Sequence, residues 1–223
     1  PVRRAGPARA MILRAEGIQK RFDTRVVLRD AAIEIGPGSI TLLLGANGSG
    51  KTTLANILAT LLPPDRGAVT VDGEPVARKR GAARRSIGFA SHRPLLYLGL
   101  TSLENLSFFG GLAGVPSPER RAMELLERLG MAPFARAPVE RFSRGMLQRI
   151  VLARALLTDP KILILDEPYT GLDETGVAVV NEVLRDARER GAGSLVITHE
   201  PERVRPLATR ILRMHGGRVE EAA

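Results

Sequence analysis

The chain has 223 residues, a formal net charge of +9, 44% hydrophobic and 26% charged residues, and no cysteine. This composition fits a globular domain with a sizeable core and excludes disulfides and thiolate metal sites. No apolar run reaches the roughly 18 to 20 residues that a membrane-spanning helix needs. The basic excess is arginine spread along the chain, since Lys20, Lys51, Lys79 and Lys161 are its only lysines. It reads as a solvated surface rather than a massed nucleic-acid or membrane patch.

Residues 1–10, PVRRAGPARA, lack periodicity and an apolar h-region, so they read as a disordered arm or upstream extension and not as a secretory signal. ILRAEGIQKRF follows as the first ordered segment. VVLRDAAIEI (Val26–Ile35) alternates as a strand does, and Gly36–Gly38 form a turn. SITLLLG (Ser39–Gly45) is a buried strand ending in glycine. KTTLANILATLL is a helix that Pro63 and Pro64 stop, and AVTVDGEPV is a hairpin around Asp72-Gly73.

The middle third is mostly helical. Thr101 and Glu104 are spaced as a capping box. SPERRAMELLERLG places Ser117 and Pro118 at the N-cap and first turn, puts Ala122, Leu125, Leu126 and Leu129 on one face, and stops at Gly130. RGMLQRIVLARALLTD is a further helix. The apolar strand KILILDEP, the amphipathic helix ETGVAVVNEVLRDARERG and the strand SLVITH then restore strand–helix alternation, the pattern of an α/β sheet with a helical insertion. His215, in the turn-like RMHGGRV, reads as structural.

GANGSGKT (Gly45–Thr52) matches the phosphate-loop pattern G-x-x-x-x-G-K-[ST] between a buried strand and a helix, the context the motif requires. The glycines let backbone N–H groups curl around a phosphate; Lys51 neutralises charge, and Thr52 is suited to Mg²⁺. The nucleotide-binding set is Gly45, Asn47, Gly48, Ser49, Gly50, Lys51, Thr52 and Thr53. Two acids ending an apolar strand are costly unless they act. Asp166 fits a Mg²⁺-organising carboxylate. Glu167 is placed to orient or deprotonate a water attacking the γ-phosphate, against the plainer reading of a turn cap.

Ser-x-Gly before a helix is by itself only an N-cap. Together with the phosphate loop and the Asp-Glu pair, FSRGMLQR (Phe142–Arg149) resembles the signature motif of the ABC ATPase family. The resemblance runs over residues 12–219 and includes Phe22 as the adenine-stacking aromatic, Asp173 of TGLD as the D-loop, and His199 of VITHE as the switch histidine after the last core strand. It implies an α/β P-loop NTPase core, the ABC nucleotide-binding domain, with an antiparallel β subdomain and an inserted α-helical subdomain. The core would take residues 11–91 and 159–223, and the helical signature subdomain 92–158.

The resemblance also implies ATP and Mg²⁺ as cofactors and a head-to-tail homodimer in the ATP-bound state. Ser143, Arg144, Gly145 and Gln148 would then face the partner's nucleotide. Arg144 stands where the family usually has glycine, and Met146 replaces glutamine. The arginine either adds charge near the partner's ATP or points to solvent, and solvent is the reading taken here.

No sustained heptads separate Thr52 from Ser143, as a chromosome-organising ABC ATPase would require, and the chain carries one cassette where translation factors carry two. No specific nucleic acid is expected. The implied partners are integral-membrane transporter subunits, with this chain at the cytoplasmic face of the inner membrane. In GFASHRPLLYLGLTSLENL, His92 stands where the family usually has a glutamine that touches Mg²⁺ and the attacking water.

A neutral imidazole offers one donor and one acceptor, so it can imitate part of an amide. Mg²⁺, a water or a loop carbonyl are all open as its partner, so His92 joins Thr52 and Asp166 as a metal candidate and Glu167 and His199 as a catalytic one. His-x-Pro, LTSLENL, FSRGM-x-QR and LDEPYTGLD together resemble the haem-exporter ATPases of cytochrome c maturation. That would make the chain the subunit driving haem export or release to a chaperone, without direct haem binding. The alternative is a drug, lipid or ion exporter.

Overall fold

Leu13, Ala15 and Ile18 on one strand, and Leu28, Ala31, Ile33 and Ile35 on the next, turn the same way and are fully or almost fully buried. They define β1 (Leu13–Phe22) and β2 (Arg25–Ile35), an antiparallel hairpin in which Phe22 pairs with Arg25. The structure, a computed structural model, describes residues 13–77 and 80–222, without the Arg80 side chain. The arm expected over 1–10 therefore lies outside the described residues.

After the turn at 36–38 come β3 (Ile40–Leu44) and α1 (Lys51–Leu58), then β4 (Arg66–Val71) and the two-residue β5 (Glu74–Pro75). Helix α1 stops well short of Pro63, where the apolar pattern carried it. Thr60 takes a left-handed φ of 63°. The N–H groups of Leu61 and Leu62 both turn back to the Asn56 carbonyl, at 2.9 and 3.2 Å, and close the helix. Next are α2 (Arg80–Ser86), β6 (Ile87–Ala90), α3 (Ser102–Ala113), α4 (Pro118–Arg128) and α5 (Arg144–Ala155). The capping box of Thr101 and Glu104 starts α3 as expected. Ser117 does precede α4, but with φ 49° and no side-chain cap bond, so Pro118 alone sets that start. Finally come β7 (Ile162–Asp166), α6 (Glu174–Glu189), β8 (Gly193–Ile197), β9 (Arg210–His215) and β10 (Arg218–Glu221).

The strands form two sheets. One has the order β2-β1-β4-β5 and is antiparallel; the other has the order β10-β9-β3-β8-β7-β6. In the second, β9, β3, β8, β7 and β6 run parallel and β10 closes the edge antiparallel. Both faces of its inner strands are covered, which is why they read as unbroken apolar runs. Leu42, Leu163, Leu165 and Val196 face the core shared with the helices. Their neighbours Leu43, Ile162, Ile164, Leu195 and Ile197 face the core shared with α1 and the antiparallel sheet. Strand β9 was not expected beyond SLVITH, and His215 ends it rather than lying in a turn. Two arginines interrupt its apolar run, but Leu212 and Met214 point inward and Arg213 and His215 outward.

All five parallel strands point one way, so the loops after β3, β6, β7 and β8 gather along one edge of the sheet. This is where open α/β sheets place ligands. The seat of β6 is tight: a Cβ on Gly88 would lie 2.2 Å from the Ala155 carbonyl oxygen and 2.8 Å from Pro160 Cγ. Gly88→Ala should therefore lower unfolding stability by about 2–3 kcal/mol through overpacking. Urea denaturation measures it; an unchanged midpoint would mean that β6 and α5 can part without cost.

Candidate nucleotide-binding site

The phosphate loop is shaped by glycines that no other residue could replace. Gly45 has φ 155°, and a Cβ there would meet the Met214 carbonyl oxygen at 2.7 Å. Gly50 has φ 108°, and a Cβ there would lie 2.9 Å from Leu28 Cδ2. The loop is thus wedged between β9 and β2, with α1 starting from it. Lys51 is buried at 7% exposure and donates to the carbonyls of Gly45 (2.7 Å) and Ala46 (3.0 Å). Burial lowers its pKa, against the opposing pull of Glu167 and Asp166.

Asp166 ends β7 beneath the loop at 1% exposure, and neither carboxylate oxygen has a hydrogen-bond partner. Burial raises its pKa; the Thr52 hydroxyl, His92, Lys51 and His199 each pull it back in part. Thr52 moderates the charge without closing a hydrogen bond.

Glu167 follows with φ 58°, a left-handed conformation that costs a non-glycine residue roughly 1 kcal/mol. Its surroundings hold it there. Its N–H donates to the Ile197 carbonyl at 2.8 Å, its Oε2 accepts from the His199 N–H at 3.1 Å, and its Oε1 lies 3.1 Å from His199 Nε2. The buried Tyr169, two residues on, donates to Asn181 Oδ1 at 2.7 Å, and Asn181 Nδ2 reaches the Arg203 carbonyl at 3.1 Å. This chain of contacts fixes the turn after the acids.

A cleft of about 330 Å³ joins Phe22, Arg25, Val27, Asn47, Gly48, Gly50, Lys51, Thr52, Thr53, Glu167 and His199. Phe22 is 45% exposed at its mouth, with Lys20 Nζ 5.7 Å from the ring centroid. Gly45, Ser49 and Asp166 do not line the cleft, and the Ser49 hydroxyl is buried without a partner. His92 is exposed beyond β6; it reaches Asp166 electrostatically but does not line the cleft.

The remaining candidates form a separate group. Ser143 caps α5, its Oγ accepting from the Met146 N–H at 3.3 Å. Asp173 caps α6, and hydrogen bonds from the Gly176 N–H and then Thr175 hold its carboxyl below the usual range. The loops beside the two caps lie close: a Cβ on Gly145 would lie 3.6 Å from both the Gly171 carbonyl oxygen and Leu172 Cδ2. Arg144 is solvent-exposed as expected, yet its stem lies across Gly171, where a Cβ would meet Arg144 Cδ at 2.8 Å. Gln148, one turn into α5, is half-buried.

Asn105 was not anticipated. It is fully buried, accepts from the Tyr97 N–H at 2.8 Å, and sets its amide nitrogen 3.0–3.3 Å from the carbonyls of Tyr97, Leu100 and Thr101. Arg154 holds the same loop from the other side, donating to the Leu95 carbonyl at 2.7 Å with its guanidinium 5.2 Å over the Phe109 ring. The available signal was an Asn one turn inside a capped helix, where it is otherwise a poor helix former.

A phosphate loop, a buried acid and a second acid at one cleft define a nucleotide-handling P-loop domain. Residues 28–170 match the ABC transporter family, and the chain belongs to it. The chain is 39% identical over 206 residues to the daunorubicin resistance ATP-binding protein DrrA3 of Streptomyces coeruleorubidus, covering 92% of this chain and 65% of that protein. It is 36% identical over 220 residues to the Nod factor export ATP-binding protein I of Cupriavidus pinatubonensis, covering 98% and 68%. This chain thus spans about two thirds of the length of these relatives. Among solved structures, the dimeric post-hydrolysis state of the ATP-binding cassette MJ0796 bound to ADP and Pi superposes with TM-score 0.82 at 26% identity, covering 94% of this chain and 98% of that one. The chain is an ATPase domain of the ABC family, with its α/β P-loop core, antiparallel sheet and inserted helices.

The acids fit Mg²⁺. Among the described residues no cluster of three or more His, Asp or Glu could cage a metal alone. Mg²⁺ is usually held by one or two carboxylates together with substrate phosphates, and Asp166 offers two unsatisfied oxygens. The raised pKa gives a test. Above that pKa the native state carries a buried charge that the unfolded chain keeps solvated, which lowers stability. As pH falls through it, the native state takes up a proton first and the deficit disappears. Asp166→Asn should therefore stabilise the metal-free protein at pH 7 by about 1 kcal/mol, with the gain shrinking on acidification. Chemical denaturation across pH measures this, and a pH-independent difference would contradict it.

Proposed function

We propose that the chain hydrolyses ATP and couples that step to the movement of membrane-embedded exporter subunits. The observation that carries the reading is the convergence on one cleft of Lys51, Glu167 and His199, on the segments that follow the adjacent parallel strands β3, β7 and β8, with buried Asp166 next to Glu167. In this reading Phe22 stacks on adenine, while Gly45, Asn47, Gly48, Ser49, Gly50 and Thr53 wrap the phosphates. Lys51 neutralises them. Bound Mg²⁺ would be held by Thr52 and Asp166, and it would neutralise charge on the phosphate tail. Glu167 takes a proton from the attacking water as its oxygen bonds to the γ-phosphorus and the bridging oxygen departs with ADP. His199 holds the Glu167 carboxylate for that step, and His92 acts on Asp166 from the rim.

Ser143, Arg144, Gly145, Gln148 and Asp173 lie away from this cleft. That separation supports a head-to-tail homodimer in which these caps complete a second chain's site, since helix N-termini suit an anion. The division into a core of 11–91 and 159–223 with a helical part over 92–158 belongs to the same reading.

Membrane partners are supported by a surface beside the His92 loop. Leu95, Tyr97, Leu98, Phe108 and Leu112 are 42–71% exposed there. Tyr97 packs edge-on against Phe108 at 5.3 Å and stacks with Phe109 at 6.0 Å. An aromatic surface this exposed and this firmly held suits a protein partner. Among the described residues no helix is long and apolar enough to cross a membrane, so the partner would supply the spans, with this chain at the cytoplasmic face. Relatives named for drug resistance and Nod factor export support a small-molecule exporter. That is the alternative weighed on the sequence, and it is better supported than haem export, which rests on short motifs alone.

Glu167→Gln should bind ATP, lose at least about a hundredfold in turnover, and elute as an ATP-dependent dimer in size-exclusion chromatography. Normal turnover would refute the role given to Glu167, and a monomer with ATP bound would refute the dimer.

A further inference from the structure

The cleft has a second cation to which the phosphate-loop pattern gives no role. Arg25 opens β2 directly across the hairpin turn from Phe22 and lines the same cleft. An ideal Cβ on Gly48 would lie 3.6 Å from Arg25 Nη2. The guanidinium therefore lies over the crown of the phosphate loop. The strand behind it is tightly seated: a Cβ on Gly50 would meet Leu28 Cδ2 at 2.9 Å and Val27 Cγ1 at 3.2 Å. Close packing of Val27 and Leu28 against the loop thus sets where Arg25 starts.

Among the described residues, the Arg25 side chain has no hydrogen-bond or ion-pair partner. Lys51 lines the same cleft with its ammonium already bonded to two loop carbonyls. Glu167 and Asp166 add negative charge next to a site meant for a polyanion. A second, unpaired cation with a planar fork is what such a ligand needs, because guanidinium donors match phosphate oxygens in pairs.

Resting on the nucleotide-binding reading above, we infer that Arg25 is a further nucleotide-binding residue, clamping the phosphate tail of ATP from the hairpin side against the loop at Gly48. The hairpin then recognises both ends of the nucleotide, the base through Phe22 and the phosphates through Arg25. Discrimination between ATP and shorter nucleotides depends on both walls of the cleft. Gly48, at φ 74°, gives the loop the left-handed backbone that brings it beside the guanidinium.

The test is competition by ATP, ADP and AMP, each with Mg²⁺, against a fluorescent ATP analogue. It uses the wild-type chain, Arg25→Ala, Arg25→Lys and Lys51→Ala. Arg25 is exposed, and circular dichroism confirms that the variants fold. Arg25→Ala should weaken ATP about tenfold, the scale of one charge-assisted contact, ADP less, and AMP not at all. Arg25→Lys should recover part of the loss, and added salt should narrow the gap. Equal losses for ATP, ADP and AMP would place Arg25 at the base or ribose and overturn the assignment, as would no loss. A wild-type chain that binds no ATP would instead overturn the phosphate-loop reading itself, and this inference with it.

Discussion

The site is organised around a charge that the fold buries without satisfying. Asp166 ends an apolar strand at 1% exposure with both oxygens unpaired. A lone buried carboxylate is costly enough that proteins pair it, protonate it or give it a metal. Thr52, His92, Lys51 and His199 compensate only in part, and Lys51 is itself buried with its pKa lowered by that burial. Neither group is relieved by the protein alone. A phosphate with a divalent cation would relieve both at once, so the folded chain is preorganised for a ligand at a cost to its own stability.

Rigid surroundings maintain that arrangement. The parallel strands bring β3, β7 and β8 to one edge, and each delivers one part of the cleft. Glu167 holds a left-handed backbone because Ile197, at the end of the neighbouring strand, and His199, in the loop after it, bind it from two sides. The loop from β6 to α3 is held by buried Asn105 and by Arg154, so its exposed aromatics are presented on a fixed frame. A force applied there by a partner would act on the end of β6, the strand beside β7. Strand β6 pairs with β7, which ends in Asp166, so the surface contact and the buried acid are carried by adjacent strands.

Much of this was legible in the sequence because the signals were local. Apolar runs with no polar face marked β3 and β7 as doubly covered strands, and the glycine spacing of the phosphate loop has one common use. The capping box of α3 was legible for the same reason. What escaped depended on partners far along the chain. Strand β9 is interrupted by arginines, and its pairing with β3 lies about 170 residues away in sequence. The end of α1 was set by a left-handed Thr60, not by the prolines that follow. Asn105 and Arg154 act on backbone carbonyls of another element, which leaves no pattern in spacing. The contact of Arg144 with Gly171 could not be read from FSRGMLQR, because it takes the TGLD loop to complete it.

That last contact changes how the departure from the usual signature is understood. An arginine in place of glycine would be a liability if it filled the space a partner's phosphate needs. Here its stem is laid along Gly171, whose left-handed φ of 75° and missing Cβ leave the room. The side chain is thereby drawn along the Gly171 turn of its own chain, while Ser143 and Gly145 keep the helix N-terminus open. Arg149 extends the same join, with one guanidinium nitrogen 3.4 Å from the Thr175 hydroxyl and the other donating to the Leu129 carbonyl at 3.2 Å. The start of α5 and the start of α6 are therefore joined by direct contacts. In the proposed dimer, these contacts would make the two caps approach or leave the partner's nucleotide together.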